Sequence, residues 1–259
     1  MAAYRQGYSC QYVLLRIIED WKRALEQRKH IGAVLMDLSK AFDCLPHQLI
    51  IAKLRAYGVS SDGCALIWSY LSSRQQRVKL SGGLSEWLPL IKGVPQGSIL
   101  GPILFNIFIN DIFTAITEST LYNYADDNTI SAIADTKDEV IKRLTMDSEH
   151  AVQWFRDNMM EANSGKFQAI FPNQATSIGL SLNDSVVTSE EHVKLLGVNI
   201  DYKLNFNHHI HSLCKKAGAQ LNVLQRLSGN LDQKSRMAIF RCFILSHFSY
   251  CSLGISVVK

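Results

Sequence analysis

Tyr124-Ala125-Asp126-Asp127 stands between two β-prone runs, Ser119 to Asn123 and Thr129 to Ala134. Two such runs separated by an Asp-Asp-Asn turn predict a β-hairpin that holds both carboxylates at its tip. Adjacent acids at a tight turn repel, and each raises the other's pKa unless a cation lies between them. A divalent metal is the natural cation, although an Asp-Asp pair taken alone is an ordinary solvated turn. The rest of the chain decides between the two.

Upstream, Ile31 to Leu38 is nearly all apolar, as expected of a strand covered on both faces, and it delivers Asp37 to its end. Between this strand and the hairpin lies Gly93-Val94-Pro95-Gln96-Gly97-Ser98, a loop of turn formers ahead of a predicted helix from Leu100 to Ile116. Glycines flanking a glutamine let backbone approach a flat ligand while the amide reads or positions it. If the Asp37 strand pairs beside the hairpin, three carboxylates meet on one sheet edge. Such a set suits two Mg²⁺ ions bridging an attacking and a leaving oxygen, which is phosphoryl-transfer chemistry.

The remaining elements read as mixed α and β. Leu14, Ile17, Ile18, Trp21 and Leu25 recur at helical spacing, with Gly32 where that helix would stop. Pro46 opens a helix that Gly58 ends, and a further helix spans 61–72. Gln76 to Leu80 and Leu84 to Ile91 flank Gly82-Gly83 as a hairpin, made basic by Arg74, Arg77 and Lys79. Thr136-Lys137-Asp138-Glu139 is a capping box, and Gly165 to Phe171 reads as a strand carrying Lys166. Short strands are expected near Ile178 to Leu182 and His192 to Ile200, and the chain ends in helical stripes. The predicted fold class is α+β.

Charge and cysteine usage narrow the setting. A formal net charge of +4 over 259 residues is too weak to name a partner. From Lys203 to Arg241, however, Lys203, Lys215, Lys216, Arg226, Lys234, Arg236 and Arg241 face only Asp232, which favours an acidic ligand along that segment. The 6 cysteines include no Cys-x-x-Cys pair and suit a reducing compartment, cytoplasmic or nuclear. His208, His209, His211 and Cys214 lack the second ligand pair of a zinc site and read as a polar helix start. No signal peptide opens the chain and no apolar run reaches the roughly 18 residues of a membrane span, so no membrane partner is expected.

Six tracts in order resemble the reverse transcriptases of LINE-type, non-long-terminal-repeat retrotransposons. They are Ala33 to Asp43 (AVLMDLSKAFD), Gly93 to Pro102 (GVPQGSILGP), Phe105 to Asp111 (FNIFIND), Tyr124 to Asp127, Asn163 to Phe171 around Lys166, and Lys194 to Gly197. The resemblance implies a right-hand polymerase with an antiparallel palm sheet: partial fingers and palm over residues 1–200, and a partial helical thumb over 201–259. It implies that Asp37 and Asp126 bind two Mg²⁺ or Mn²⁺ ions, assisted by Asp127 and the Leu38 carbonyl. Phe42 would collide with a ribose 2′-hydroxyl, amides near Lys40 and Ala41 would hold the triphosphate, and Gln96 and Gly97 would position the nucleotide. Lys166 would lie near the departing pyrophosphate. Lys194, Leu195, Leu196 and Gly197 would grip the primer end. Arg77, Tyr124, Lys215 and Lys216 would touch template or primer.

Asp43 and His47 share the family pattern, but capping or packing suits them better than catalysis. Asp111 is expected to anchor its helix end. The chain starts inside the fingers pattern, at Tyr4-Arg5-Gln6-Gly7-Tyr8-Ser9, and it carries neither an endonuclease domain nor a Cys/His knuckle. The expected function is RNA-directed DNA synthesis from an RNA template, a DNA primer and deoxynucleoside triphosphates. The alternative is an inactive remnant that binds nucleic acid through its basic C-terminal part. RNA-templated RNA synthesis fits less well, since a bulky Phe42 would clash with a ribonucleotide.

Overall fold

The computed structural model describes residues 2–174, 177–182 and 185–251. Helix α1 (Cys10–Glu26) opens where the Ser9 hydroxyl accepts the Tyr12 amide hydrogen, and it buries Val13, Leu14, Ile17, Ile18 and Trp21 on one face. Strand β1 (His30–Met36) is buried at every residue after His30. Helices α2 (His47–Ala56) and α3 (Ser61–Leu71) pack on each other. Two short ribbons follow, β2 (Gln75–Gln76) with β5 (Leu88–Pro89) and β3 (Lys79–Leu80) with β4 (Gly83–Leu84). The single hairpin expected here is thus two brief ladders.

Helix α4 (Leu100–Ile109) gives way to a 3₁₀ turn at Asn110–Thr114, earlier than the predicted end at Ile116. Strands β6 (Thr120–Tyr124) and β7 (Asp127–Ala134) form the acidic hairpin. Helix α5 (Lys137–Asp157) starts at Thr136, whose hydroxyl accepts the Glu139 amide hydrogen as the capping box requires. Lys166 lies in a 3₁₀ turn, Ser164–Lys166, and strand β8 (Gln168–Ile170) starts beyond it. Hairpins β9 (Gly179–Leu182) with β10 (Ser185–Thr188) and β11 (His192–Leu195) with β12 (Val198–Asp201) lead to α6 (Asn207–Leu227), α7 (Gln233–Ile239), a π-helical turn at Phe240–Leu245 and α8 (Ser246–Ser249).

The central sheet is antiparallel throughout, in the order β6-β7-β1-β8. Strand alternation gives it two apolar faces. Val34 and Met36 join the core shared with α2, α4 and α5, while Ile31, Ala33 and Leu35 join the core beneath α1 and the β11–β12 hairpin. Each fully buried Leu, Ile or Val contributes about 1.5–3 kcal/mol, so β1 is held from both sides. Trp21 reaches across from α1 and donates its indole hydrogen to Ser131 Oγ at 2.8 Å.

Gly32 sits inside β1 and does not end α1, which stops at Glu26. A Cβ at Gly32 would lie 2.6 Å from Phe171, 2.7 Å from Leu144 and 2.9 Å from Val140, so glycine is needed for α5 to close on the sheet. Among the described residues no helix is long and apolar enough to cross a membrane.

Candidate active site

The hairpin loop is Ala125 and Asp126, because Tyr124 pairs with Asp127. Asp126 sits at the tip as expected, whereas Asp127 is the first residue of β7. Ala125 takes a left-handed backbone with φ of 54°. Two buried cross-strand amides support this turn. Asn123 Nδ2 donates to the Ala125 carbonyl at 2.8 Å and to Asn128 Oδ1 at 2.9 Å, and Asn128 Nδ2 donates to the Asp126 carbonyl at 2.9 Å. The bonds to Ala125 and Asp126 fix carbonyls that the tight loop leaves outside the ladder.

Asp37 leaves β1 one residue past Met36, and Met36 pairs with Asn128, so Asp37 emerges beside Asp127. The following segment is pinned to residues 161–163: Ser39 N donates to Glu161 O at 2.9 Å, Asn163 N donates to Asp37 O at 3.0 Å, and Leu38 bridges Ala162. Asp127 is exposed along one side, yet the protein packed around its carboxyl holds it above its ordinary value, and the charges of Asp126 and Asp37 push it further in the same direction. The three acids therefore share one field. Lys166 Nζ stands 3.3 Å from Asp37 Oδ2 across a cleft of about 450 Å³ that Asp127, Glu190, Lys194 and Leu195 also line.

Carboxylate oxygens are the donors that Mg²⁺ and Mn²⁺ prefer, and mutual repulsion is what a cation would relieve. The donor chemistry fits a divalent ion. Among the described residues, though, no three His, Cys, Asp or Glu side chains are gathered closely enough to hold one as they stand.

Lys40, Ala41 and Phe42 form a tight turn beyond Leu38. Lys40 has φ of 49°, and its carbonyl accepts the amides of Asp43 at 2.8 Å and Cys44 at 3.1 Å. Lys40 is exposed, Ala41 buried and Phe42 half-buried. The Phe42 ring stacks on that of Phe105, centroids 4.3 Å apart, and meets Tyr4 edge-on at 6.2 Å. No sequence pattern singles out Tyr4. Although Tyr4 is 56% exposed, the protein packed against its hydroxyl and then the charge of Asp126 hold it above its ordinary pKa, so it lies near the hairpin tip. Lys40, Asp43, His47, Arg74, Gly93 and Gln96 line a second cavity of about 790 Å³. The structure thus gathers Asp37, Asp127, Lys166, Lys194 and Leu195 at one hollow, and Lys40 and Gln96 at another.

The other predicted contacts lie apart. Arg77 is on the exposed ribbon region with its guanidinium 4.5 Å over the Trp87 ring. Lys215 and Lys216 are exposed on α6. Tyr124 packs against the core beneath α1, and a hydrogen bond with Cys10, followed by burial, pushes its hydroxyl up to about 12. Leu196, with φ of 46°, and Gly197, with φ of 80°, make the turn between β11 and β12. Tyr250 donates to the Leu196 carbonyl at 2.9 Å, tying the C-terminal helical part to this turn. Asp111, expected to anchor its helix end, lies instead inside the 3₁₀ turn that follows α4, and its carboxylate accepts from Lys53 Nζ at 2.7 and 2.9 Å.

Residues 3–200 match the model of the family described as reverse transcriptase (RNA-dependent DNA polymerase). This chain belongs to the reverse transcriptase family. Among curated relatives, the RNA-directed DNA polymerase from mobile element jockey of Drosophila funebris is 28% identical over 263 residues, covering 95% of this chain and 28% of that protein. The probable RNA-directed DNA polymerase from transposon BS of Drosophila melanogaster is 24% identical, covering 91% of this chain and 27% of that protein. The chain therefore spans about a quarter of the length of these relatives. Among solved structures, a Candida tropicalis telomerase in complex with the TWJ fragment of telomeric RNA matches with a TM-score of 0.56 at 12% identity, covering 100% of this chain and 43% of that one. The reverse transcriptase fold and the likeness to mobile-element polymerases agree with the family that the sequence tracts resemble.

Proposed function

We propose that this reverse transcriptase domain copies RNA into DNA, extending a primer with deoxynucleotides by two-metal phosphoryl transfer. The observation that carries this reading is the meeting of Asp37, Asp126 and Asp127 at one end of the central sheet, with the charges of Asp126 and Asp37 felt at Asp127. Asp37, Asp126, Asp127 and the Leu38 carbonyl would hold Mg²⁺ or Mn²⁺. Bound there, the ions supply the positive charge that activates the primer hydroxyl and stabilises the developing charge on the transferred phosphoryl group.

The chain's own residues perform the rest. Lys166, exposed and only weakly held by Asp37, turns its ammonium to the departing pyrophosphate. The Lys40–Ala41 turn offers backbone amides to the triphosphate, and Gln96 with Gly97 orients the nucleotide. The half-buried Phe42, backed by Phe105, cannot recede from a 2′-hydroxyl, so it selects deoxynucleotides. Lys194, Leu195, Leu196 and Gly197 hold the primer end beside the acids. Residues up to about 200 serve as fingers and palm, and the basic helices beyond serve as the thumb, with Lys215 and Lys216 on phosphates. A telomerase of the same fold solved with RNA supports an RNA partner.

Primer extension by the purified protein, on RNA and on DNA templates, tests this reading. RNA-templated extension that requires Mg²⁺ or Mn²⁺ and disappears in Asp126→Asn is expected. Failure of the wild-type chain to extend on either template, with hybrid binding retained, would replace it with the inactive nucleic-acid-binding reading.

A further inference from the structure

Two stretches far apart in the sequence, the turn at 42–47 and the loop at 93–98, are fastened together by a set of hydrogen bonds. Gly93 N donates to Leu45 O at 2.7 Å, and Val94 N donates to Phe42 O at 2.9 Å. The buried His47 ring places Nε2 2.8 Å from Gly93 O. Gln96 Nε2 donates to Asp43 Oδ1 at 2.9 Å. Gly93 makes the approach possible, with φ of 88°, since a Cβ there would lie 2.8 Å from the Asp43 carbonyl. On the far side, Ser98 Oγ donates to Pro95 O at 2.7 Å and accepts from Gly101 N at 3.0 Å, so the loop is braced from both ends.

Of these bonds between the two stretches, those of Gly93 and Val94 fix backbone, and the Gln96–Asp43 bond fixes a loop side chain. Gln96 is exposed, and without a partner its amide would turn over freely in solvent. An ionised carboxylate accepts and never donates, so Asp43 dictates which end of the amide faces it. Nε2 must point to Asp43, and Oε1 is left at the opposite end of the amide plane.

We propose that Asp43 is a positioning residue that sets the orientation of the Gln96 amide, and thereby fixes what that side chain offers to an incoming nucleotide: a carbonyl acceptor, matched to a hydroxyl or amino donor. This rests on the reading of Gln96 as a nucleotide-binding group. Phe42, through its carbonyl bond to Val94, belongs to the same fastened unit. The sugar-facing ring and the glutamine therefore keep one relative placement.

A double-mutant cycle on primer extension reads the effect. Asp43→Ala should raise the deoxynucleotide KM roughly three- to tenfold, the share that a charge-assisted hydrogen bond open to water retains, with kcat within about twofold. In a Gln96→Ala background the same change should add less than about twofold, because the group it positions is gone. Gln96→Glu should be worse than Gln96→Ala, two acceptors then facing each other. Adding Asp43→Asn to Gln96→Glu should recover much of the loss, since the amide introduced at position 43 then donates to the carboxylate introduced at position 96. Melting temperatures of all variants should stay together, since the bond is exposed. A Gln96→Ala variant with unchanged nucleotide KM would overturn both the assignment of Gln96 and this inference. A normal Gln96→Ala defect combined with a full, additive Asp43→Ala defect would overturn the positioning role alone.

Discussion

Lys166 Nζ lies 3.3 Å from Asp37 Oδ2, so the acid just beyond β1 is paired with a protein cation. The two side chains are 67% and 43% exposed, which keeps the pair weak and easily exchanged. An ion binding at Asp37 must displace Lys166. Lys166→Met should tighten Mn²⁺ binding roughly two- to fivefold, the equivalent of an exposed pair worth up to about 1 kcal/mol, while slowing primer extension. Calorimetric titration without nucleotide measures the first, and equal affinity in both proteins would dismiss the competition.

Asp127 gives a pH-dependent prediction. Its folded carboxyl titrates above the unfolded value, so the folded chain keeps a proton that the unfolded chain has already lost. The stabilisation is full below about pH 4 and fades as pH rises through the folded value. Because Asp127 is exposed and its interactions are screened, Asp127→Asn should melt only slightly higher than wild type, on the order of 1 °C, at pH 7 without metal, with no advantage at about pH 3.5. Mg²⁺ should narrow the gap at neutral pH. Identical melting curves there would mean that the acids do not strain one another.

Phe42 should show two separable effects. Truncation to alanine removes a half-buried ring stacked on Phe105, a loss of about 2–3 kcal/mol, below the usual cost for a fully buried phenylalanine. It should also relax discrimination against ribonucleotides by roughly ten- to a hundredfold, as overlap worth on the order of 1–3 kcal/mol disappears. Single-nucleotide incorporation and denaturant melts on the same preparation check both. A destabilised enzyme with unchanged sugar preference would reduce Phe42 to a packing residue.

Lys53 is buried on α2 with its ammonium over the rings of Phe108 and Trp154, at 4.4 and 4.6 Å, and bound to Asp111. Burial lowers its pKa, and Asp111 counteracts that. Asp111→Ala should cost about 1–3 kcal/mol by stranding the charge, and the cost should shrink as pH rises through the depressed lysine value, where the folded ammonium is shed. Lys53→Met with Asp111→Leu should be close to neutral. Urea unfolding in mildly acidic and in alkaline buffer measures these, and a pH-independent loss would show that the charge is not stranded.

Reversal of Lys215 and Lys216 to glutamate should weaken binding to an RNA–DNA hybrid with little change in sequence preference. Each lost phosphate contact should reduce the slope of log affinity against log salt by about 0.7–0.9. A slope equal to that of wild type would remove α6 from the interface.

The parts of this fold legible in the sequence are those whose cause is local. The apolar run ending in Asp37 reads as a buried strand, and Thr136 with Glu139 reads as a cap, because each pattern carries its own partner. The turn-forming character of Asp127 points to the loop, whereas the register is set by the Asn123–Asn128 amide pair inside the ladder. The alternation of Phe167, Ala169 and Phe171 extends the expected strand back over Lys166, yet the ladder to β1 begins only at Gln168. Lys53 and Asp111 are 58 residues apart, and Asp147, fully buried, takes its hydrogen bonds from the amides of Thr117 and Glu118. No spacing rule reports such partners, since only the closed fold brings them together.

The central place of β1 also orders events during synthesis. Asp37 and Lys166 are separated by 129 residues, and β1 finds its two ladder partners only in β7 and β8. At about 5–20 residues per second, Asp37 is added to the chain roughly 6–26 s before Lys166. Until β7 is complete at Ala134 the apolar strand β1 has no sheet to enter, and the contacts that complete it are the slow, long-range kind. A nascent chain halted before Asp127 would present β1 to chaperones as an unpaired strand, with its acid already exposed and nothing yet to neutralise it.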